Sequence, residues 1–490
     1  MLCCILFAAL FSSCASSRQA NYTFNKKYGA SELREEFSLL KKILEANHPS
    51  LYWYTTKDSL DKYFIDAINS IQDSLTESDY RKKVASVIEK IKCGHTFVRY
   101  SKAYTKEAFK YRYPQFPLYL KVWDDSLVVL GSVIHNDSVF KRGTIVTSIN
   151  GSKPKQILDA MFDVISTDGY NKTYKEQVVT NNFPAWYRNV YGADSIYHIT
   201  YIDSNEHEAA TVVSNFKPKR DTSTKKNPIV KISPEPTRKQ LRQMSLLSKR
   251  SMGIDTGLNT AFIRLTTFSS GHLRNFFKKS FKTIEEQHIK NVVIDLRENG
   301  GGNVVLSNKL AKYLADRPFK IADTLAAISR TFPYRQYIRP WYWYWFPMNF
   351  VAHKKKDGRI HFTYYEKHYF TPKKHLHFDG DVYILQGGLT FSASTMFTSI
   401  LKGQKNVTVV GEESGGGYYG NTAMYLLDII LPVTKIRVEL PMYRLVMDVK
   451  RDKDGRGIMP DILIKPSTEA IKQGIDLKIK AVRELIQQKH

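Results

Sequence analysis

From about Asn259 onward, short β-branched apolar runs alternate with longer stretches whose apolar residues recur at helical spacing. Ala261–Leu265, Asn291–Leu296, Asp381–Gln386 and Val407–Val410 read as strands. Leu273–His288, Val304–Leu314 and Ala393–Lys402 read as the helices between them. Strands separated by helices cannot pair as tight hairpins. Each crossover covers a sheet face, so the pattern predicts an α/β core over residues 256–490. One insertion, 332–370, interrupts it with six consecutive aromatics, Trp341–Phe346. They cannot all be buried in one strand, whose alternate side chains point to opposite faces. A satellite core under a long loop, a cover over a groove, and a patch for a membrane interface all fit this composition.

The upstream half has a different grammar. Over 25–110 three helical stripes follow one another: Leu33, Phe37, Leu40 and Leu44; Leu60, Tyr63, Phe64, Ala67 and Ile71; Tyr80, Val84, Val87, Ile88 and Ile91. Ser59 and Ser78 are the expected N-caps of the second and third helices. The third helix stops at Cys93-Gly94, and Thr96–Tyr100 reads as a strand. Over 111–216 short alternating strands take over, and the string "KRGTIVTSINGSKPKQIL" ends its strand in Asn150-Gly151, a strong turn signal. This string resembles the PDZ signature, which implies a groove that binds peptide as an added edge strand.

Residues 217–255 form a basic linker, with 11 basic and 2 acidic residues between Lys217 and Arg250. Such a run is expected to be solvated chain. No zinc-finger spacing or P-loop accompanies it, so no nucleic-acid partner is expected. The net charge of +26 suits an anionic membrane surface or an acidic partner. Residues 1–14 hold an apolar run, Leu2–Phe11, followed by Ser12-Ser13-Cys14. This resembles a bacterial lipoprotein signal, which implies acylation of Cys14 and a lipid-anchored protein of the periplasm-facing envelope. The only other cysteines are Cys3, Cys4 and Cys93, so neither a disulfide scaffold nor a four-cysteine zinc site is expected. No cofactor or metal is expected.

Two strand-to-helix turns carry the chemistry. "NVVIDLRENGGGN", Asn291–Asn303, places three glycines between a strand and a helix, where backbone N–H groups can approach an anion closely. "VYILQGGLTFSASTMFTSIL" ends a strand at Gly387-Gly388 and opens a helix after Ser392. A serine there is either an N-cap or a nucleophile whose oxyanion is held by the next N–H. "VVGEESGGGYYGNTA", Val409–Ala423, and "GRGIMPD", Gly455–Asp461, follow in order. Together the four segments resemble the tail-specific (C-terminal processing) serine peptidase family. The resemblance implies a ClpP/crotonase-like ββα superhelix and hydrolysis of peptide bonds in peptides or unfolded proteins.

The family's Ser-Lys members carry their lysine about 25 residues after the nucleophile, and Gly417 stands there in this chain. The resemblance therefore points to the Ser-His-carboxylate branch, which includes the tricorn core protease. It implies Ser392 as nucleophile, His95 of "KCGHTFVRY" as base, and Asp454 as the carboxylate that orients it, with Asp448, Asp452 and Glu413 as substitutes. The N–H groups of Gly301 and Ala393 would form the oxyanion hole. His95 is expected to titrate near neutral pH. Cys93 reads as a small buried thiol, with a Cys-His dyad as the lesser alternative. The functional rival is an inactive peptide- or lipid-binding lipoprotein on the same fold; a crotonase-like acyl-transfer enzyme would need an adenine-nucleotide site, for which there is no motif.

Overall fold

A computed structural model describes residues 22–134, 137–217 and 236–489. Cys14, the expected signal and residues 218–235 of the basic linker lie outside the described residues.

The alternating C-terminal half forms a six-stranded sheet. Its order is Ile462–Leu463, Val407–Gly411, Asp381–Gln386, Asn291–Asp295, Thr260–Leu265 and Arg250–Asp255. Neighbours are parallel except at the last edge, where Arg250–Asp255 runs antiparallel to Thr260–Leu265. The last stretch of the expected linker is thus a strand of the core sheet. Helices Leu273–Glu286, Val304–Ala311 and Ala393–Leu401 bury Phe277, Phe281, Leu310 and Phe397 against one face with Val292 and Ile294. Helix Leu477–Gln488 covers the other face through Val482 and Ile486.

A second, largely antiparallel sheet is built on the long hairpin Gly420–Ile430 and Arg437–Val446. The aromatic insertion belongs to it. Ile338–Arg339 pairs with the hairpin on one side, and Ile360–His361 pairs with Thr324–Ala327 on the other. The six aromatics lie in a helix, Trp341–Val351, with Tyr344 and Met348 buried in the main core. Neither a structureless loop nor a separate satellite core forms, because the insertion's strands are paired into an existing sheet.

The N-terminal helices are Ala30–Asn47, Lys57–Asn69 and Glu77–Glu89. Their apolar stripes are buried much as the periodicity predicts, apart from Tyr63, which is exposed. The caps differ. Thr56 and Thr76 accept the N–H groups of Ser59 and Asp79, so the second and third helices start before the expected serines. This domain does not stand alone. Val98–Arg99 pairs with Val438 and Arg437 of the hairpin. Buried Glu36 accepts the Thr434 N–H at 3.0 Å and its hydroxyl at 2.6 Å in the hairpin turn. One apolar core runs from Leu33 and Phe37 through Val438 and Leu445.

Residues between Leu118 and Ser214 form a five-stranded antiparallel sheet with helices Pro154–Phe162, Lys172–Asn181 and Phe183–Tyr191 packed on it. Asn150 and Gly151 make its tight turn with φ values of 50° and 77°, the positive pair that a two-residue hairpin turn of this hand requires.

Candidate active site

Strand Asp381–Gln386 ends under the Gly387-Gly388 turn. The chain is then fastened by Thr390, whose hydroxyl donates to the Leu296 carbonyl and accepts the Gly387 N–H. Two residues later Ser392 sits at φ 54°, ψ −122°, before helix Ala393–Leu401. A non-glycine residue in this region carries strain on the order of 1–3 kcal/mol, held only where the surroundings over-determine it. The Ser392 side chain makes no capping bond to its own helix. It is therefore not the N-cap that a serine at this position usually is.

The glycine loop after Asn291–Asp295 comes against this turn. Arg297 anchors it: its guanidinium forks onto Asp295 at 2.7 and 2.9 Å and onto Asp476 at 2.8 Å. At Gly301 (φ 97°) a β-carbon would stand 2.8 Å from Ser392 Cβ and 2.9 Å from Ala393 N, so only glycine allows this approach. Ala393 N–H is the first of the helix's orphan donors. The Gly301 N–H is already engaged with Asn299 Oδ1 at 3.0 Å. Asn299, fully buried, is thus a positioning side chain for the loop.

His95 comes from the other end of the chain. Its turn is closed by Thr96 N–H to the Cys93 carbonyl, and His48 Nε2 bonds Thr96 Oγ1 at 2.8 Å. The imidazole lies against Phe391, ring centroids 4.9 Å apart. His95, Ser392, Gly301 and Ala393 line one cavity of about 630 Å³. Among the described residues, no Asp, Glu, Lys or Arg side chain lines it. A bulge in the long hairpin, with Met424 and Tyr425 at φ 60° and 49°, supplies part of its wall.

Burial lowers the His95 pKa to about 4, well below the near-neutral expectation. Its Nδ1 is buried and, among the described residues, has no hydrogen-bond partner. Asp454 does not meet it. That residue is exposed, its Oδ1 accepts the Arg456 N–H at 2.8 Å, and it does not line the cavity. Glu413 is occupied by the Gly457 N–H and by Arg456 at 2.7 and 2.6 Å, and Asp448 accepts the Lys450 N–H. Asp452 is exposed. Cys93 is buried, and burial pushes its thiol up to about 12, which removes it as a nucleophile at neutral pH. Among the described residues, no group of three or more His, Cys, Asp or Glu is arranged to hold a metal ion.

The carboxylate nearest this arrangement in bonding terms is Asp168, which the sequence reading missed. It lies beyond helix Pro154–Phe162, in a stretch whose only local signal is an Asp-Gly turn. Asp168 Oδ1 accepts the Gly94 N–H at 2.8 Å and Oδ2 accepts the Gly417 N–H at 3.3 Å. One side chain thus ties the His95 turn to the Gly415–Gly417 segment, which comes against Ser392 at Gly416. Burial pushes its pKa up to about 7; Cys93, Tyr54 and Tyr174 are the titratable groups around it. Its folded pKa exceeds the unfolded value of 3.8. Its contribution to stability is therefore full below about pH 3.8 and is lost as pH rises through 7. The ionised form is the better acceptor for both N–H groups. Asp168→Asn should lower kcat about 10-fold, because its NH2 would face one of the two N–H groups. It should also abolish an activity step near pH 7 and reduce the loss of urea stability between about pH 4 and 7. An unchanged pH profile in the variant would refute the positioning role.

Residues 259–464 match the model of peptidase family S41. The solved structure of mature CPAF superposes with a TM-score of 0.64 at 12% identity, covering 94% of this chain and 97% of that one. Mature CPAF complexed with lactacystin gives a TM-score of 0.65 at 13% identity, covering 94% and 98%. The photosystem II D1 C-terminal processing protease gives a TM-score of 0.40 at 12% identity, covering 90% of this chain and 96% of that one. No curated protein matches the chain. The fold is a mixed α/β fold like that of CPAF, and the S41 match over the core supports a serine-type peptidase, a hydrolase.

Proposed function

We propose that this protein is a serine endopeptidase in which Ser392 and His95 do the chemistry, acting on peptides or unfolded proteins of the cell envelope. The reading rests on one observation. Ser392, strained at the N-terminus of a buried helix, faces the same cavity as His95. In this reading the core is a ClpP/crotonase-like superhelix and residues 111–216 are a PDZ-like domain. Ser392 Oγ attacks the scissile carbonyl carbon. His95 Nε2 takes the hydroxyl proton, with Nδ1 carrying the ring's other hydrogen, and later gives a proton to the leaving amine. Burial disfavours the imidazolium, so the oxyanion formed beside it is its main stabilising charge. The Ala393 N–H binds that oxyanion, with the Gly301 N–H, shared with Asn299, as second donor. Asp168 acts on the backbone of the His95 turn, and Asp454 is left out of the reacting set.

A serine-directed fluorophosphonate probe tests this directly. Wild-type protein should be labelled covalently and Ser392→Ala should not. Absence of labelling in wild type would favour the rival reading, an inactive binding protein on the same fold.

We further propose that acylation of Cys14 anchors the chain to an envelope membrane. Wild-type protein should then stay with carbonate-washed membranes and Cys14→Ser should be released from them. Wild type washed off by carbonate would count against the anchor.

A further inference from the structure

Helix Trp341–Val351 violates the usual pattern of a surface helix. Its inner positions Tyr344 and Met348 are buried, and its outer positions would ordinarily be polar. Instead they are Tyr342, Trp343, Trp345, Phe346 and Phe350. Trp343, Phe346 and Phe350 are 66%, 63% and 70% exposed, and with Tyr342 and Trp345 they lie together on one short helix rather than scattered singly. The helix carries no charge. The charges sit at its two ends: between Arg335 and Lys356 the chain has Arg335, Arg339, Lys354, Lys355 and Lys356 and no acidic residue. All five are exposed. Lys355 pairs with Glu366 and Arg335 lies over the Trp341 ring at 5.3 Å, while Lys354 and Lys356 remain directed to solvent around the patch.

A helix of 11 residues is about 16 Å long and cannot cross an apolar layer of about 30 Å. Among the described residues no helix is long and apolar enough to span a membrane. Exposed Trp, Tyr and Phe bounded by cations are instead the composition of a helix that lies in the headgroup region. There the rings enter the acyl boundary and the cations meet anionic phosphates. We propose that Trp341–Val351 is a membrane-docking helix whose partner is an anionic phospholipid surface.

The placement has a consequence for the active site. Tyr344, on the helix's inner side, packs on Tyr425 with ring centroids 5.1 Å apart. Tyr425 and Leu426 line the Ser392 cavity. The docking helix therefore adjoins, through its inner side, one wall of that cavity. The docking itself depends neither on catalysis nor on Cys14.

The test uses the full chain carrying Cys14→Ser, which cannot be acylated at that position. It is sedimented with vesicles of phosphatidylglycerol and phosphatidylethanolamine in equal parts, and with phosphatidylcholine vesicles. The parent should bind the anionic vesicles with a blue shift of tryptophan emission, and bind the zwitterionic ones at least about 10-fold more weakly. Adding Trp343→Ser, Phe346→Ser and Phe350→Ser should weaken anionic binding by at least about 10-fold. Hydrolysis of a short soluble peptide should stay unchanged. Lys354→Glu with Lys356→Glu, which leaves the rings in place, should weaken binding several-fold and remove most of its salt dependence. Equal vesicle binding by parent and triple-serine variant would overturn the proposal, as would a parent that binds no vesicles. A parent that self-associates while the variant stays monomeric, with no vesicle binding by either, would also overturn it and make the patch a contact between copies.

Discussion

Ser392→Ala is expected to reduce peptide hydrolysis by about three to six orders of magnitude, with little change in melting temperature. The kinetic loss follows from removal of the hydroxyl placed to attack a carbonyl at the mouth of the orphan helix donors. The unchanged stability follows from the surroundings. Ser392 makes no capping bond, and alanine keeps the same β-carbon at φ 54°. Ser392→Gly should be equally inactive yet more stable than Ser392→Ala by about 1 kcal/mol, since glycine tolerates this backbone conformation without strain. That contrast separates a strained nucleophile from a structural serine. Retention of more than about a tenth of wild-type hydrolysis by either variant would remove Ser392 from the mechanism.

His95→Ala should cost nearly as much as Ser392→Ala, and the double variant little more than either, because a nucleophile without its base gains nothing from being present. The pH dependence carries a second signature. Burial places His95 near 4, so kcat/KM should hold a plateau well below pH 6 and fall steeply only as pH drops through about 4. The step near pH 7 assigned to Asp168 lies apart from this limb, and only that step should vanish in Asp168→Asn. For stability the signs are opposite. The folded His95 pKa is below its unfolded value of 6.5, so the unfolded chain binds more protons between about pH 6.5 and 4. Acidification across that window should weaken the wild type more than His95→Ala. A full single limb at pH 6.5, with no activity surviving at pH 5, would show that His95 is not the buried base described here.

Much of the architecture was legible from local patterns. Ala261–Leu265 and Asn291–Leu296 announce buried strands by length and β-branching, and the structure pairs them in parallel. The stripe Leu33, Phe37, Leu40 and Leu44 announces a buried helix face, and all four are inaccessible to solvent. The start of helix Ala393–Leu401 after Ser392 and the turn at Asn150-Gly151 were readable for the same reason: backbone preference there depends on the residue itself and its nearest neighbours. The threonine caps were missed by two or three residues because Ser, Thr and Asp compete for that position on nearly equal terms.

The site itself was only half legible. Ser392, Gly301 and Ala393 are near one another because two strand-to-helix turns of one parallel sheet open at the same edge. His95 reaches them through a different physics. It depends on the pairing of Val98–Arg99 with Arg437–Val438, on Glu36 seating the hairpin turn, and on a core shared between segments hundreds of residues apart. Asp168 and Asp454 show the same divide. Asp454 stands in a recognisable string yet spends its carboxylate on Arg456 N–H, while Asp168 stands in none and bonds both Gly94 and Gly417. Local pattern carries the α/β core, the helical N-terminal stripes, the serine at a helix start and the aromatic run. Packing between distant segments selects which carboxylate serves the histidine turn and which face of the aromatic run is left to solvent. Periodicity records how each residue is buried along its own element; partner choice is decided by loop closure and by the hydrogen-bond needs of backbone groups that no local period encodes.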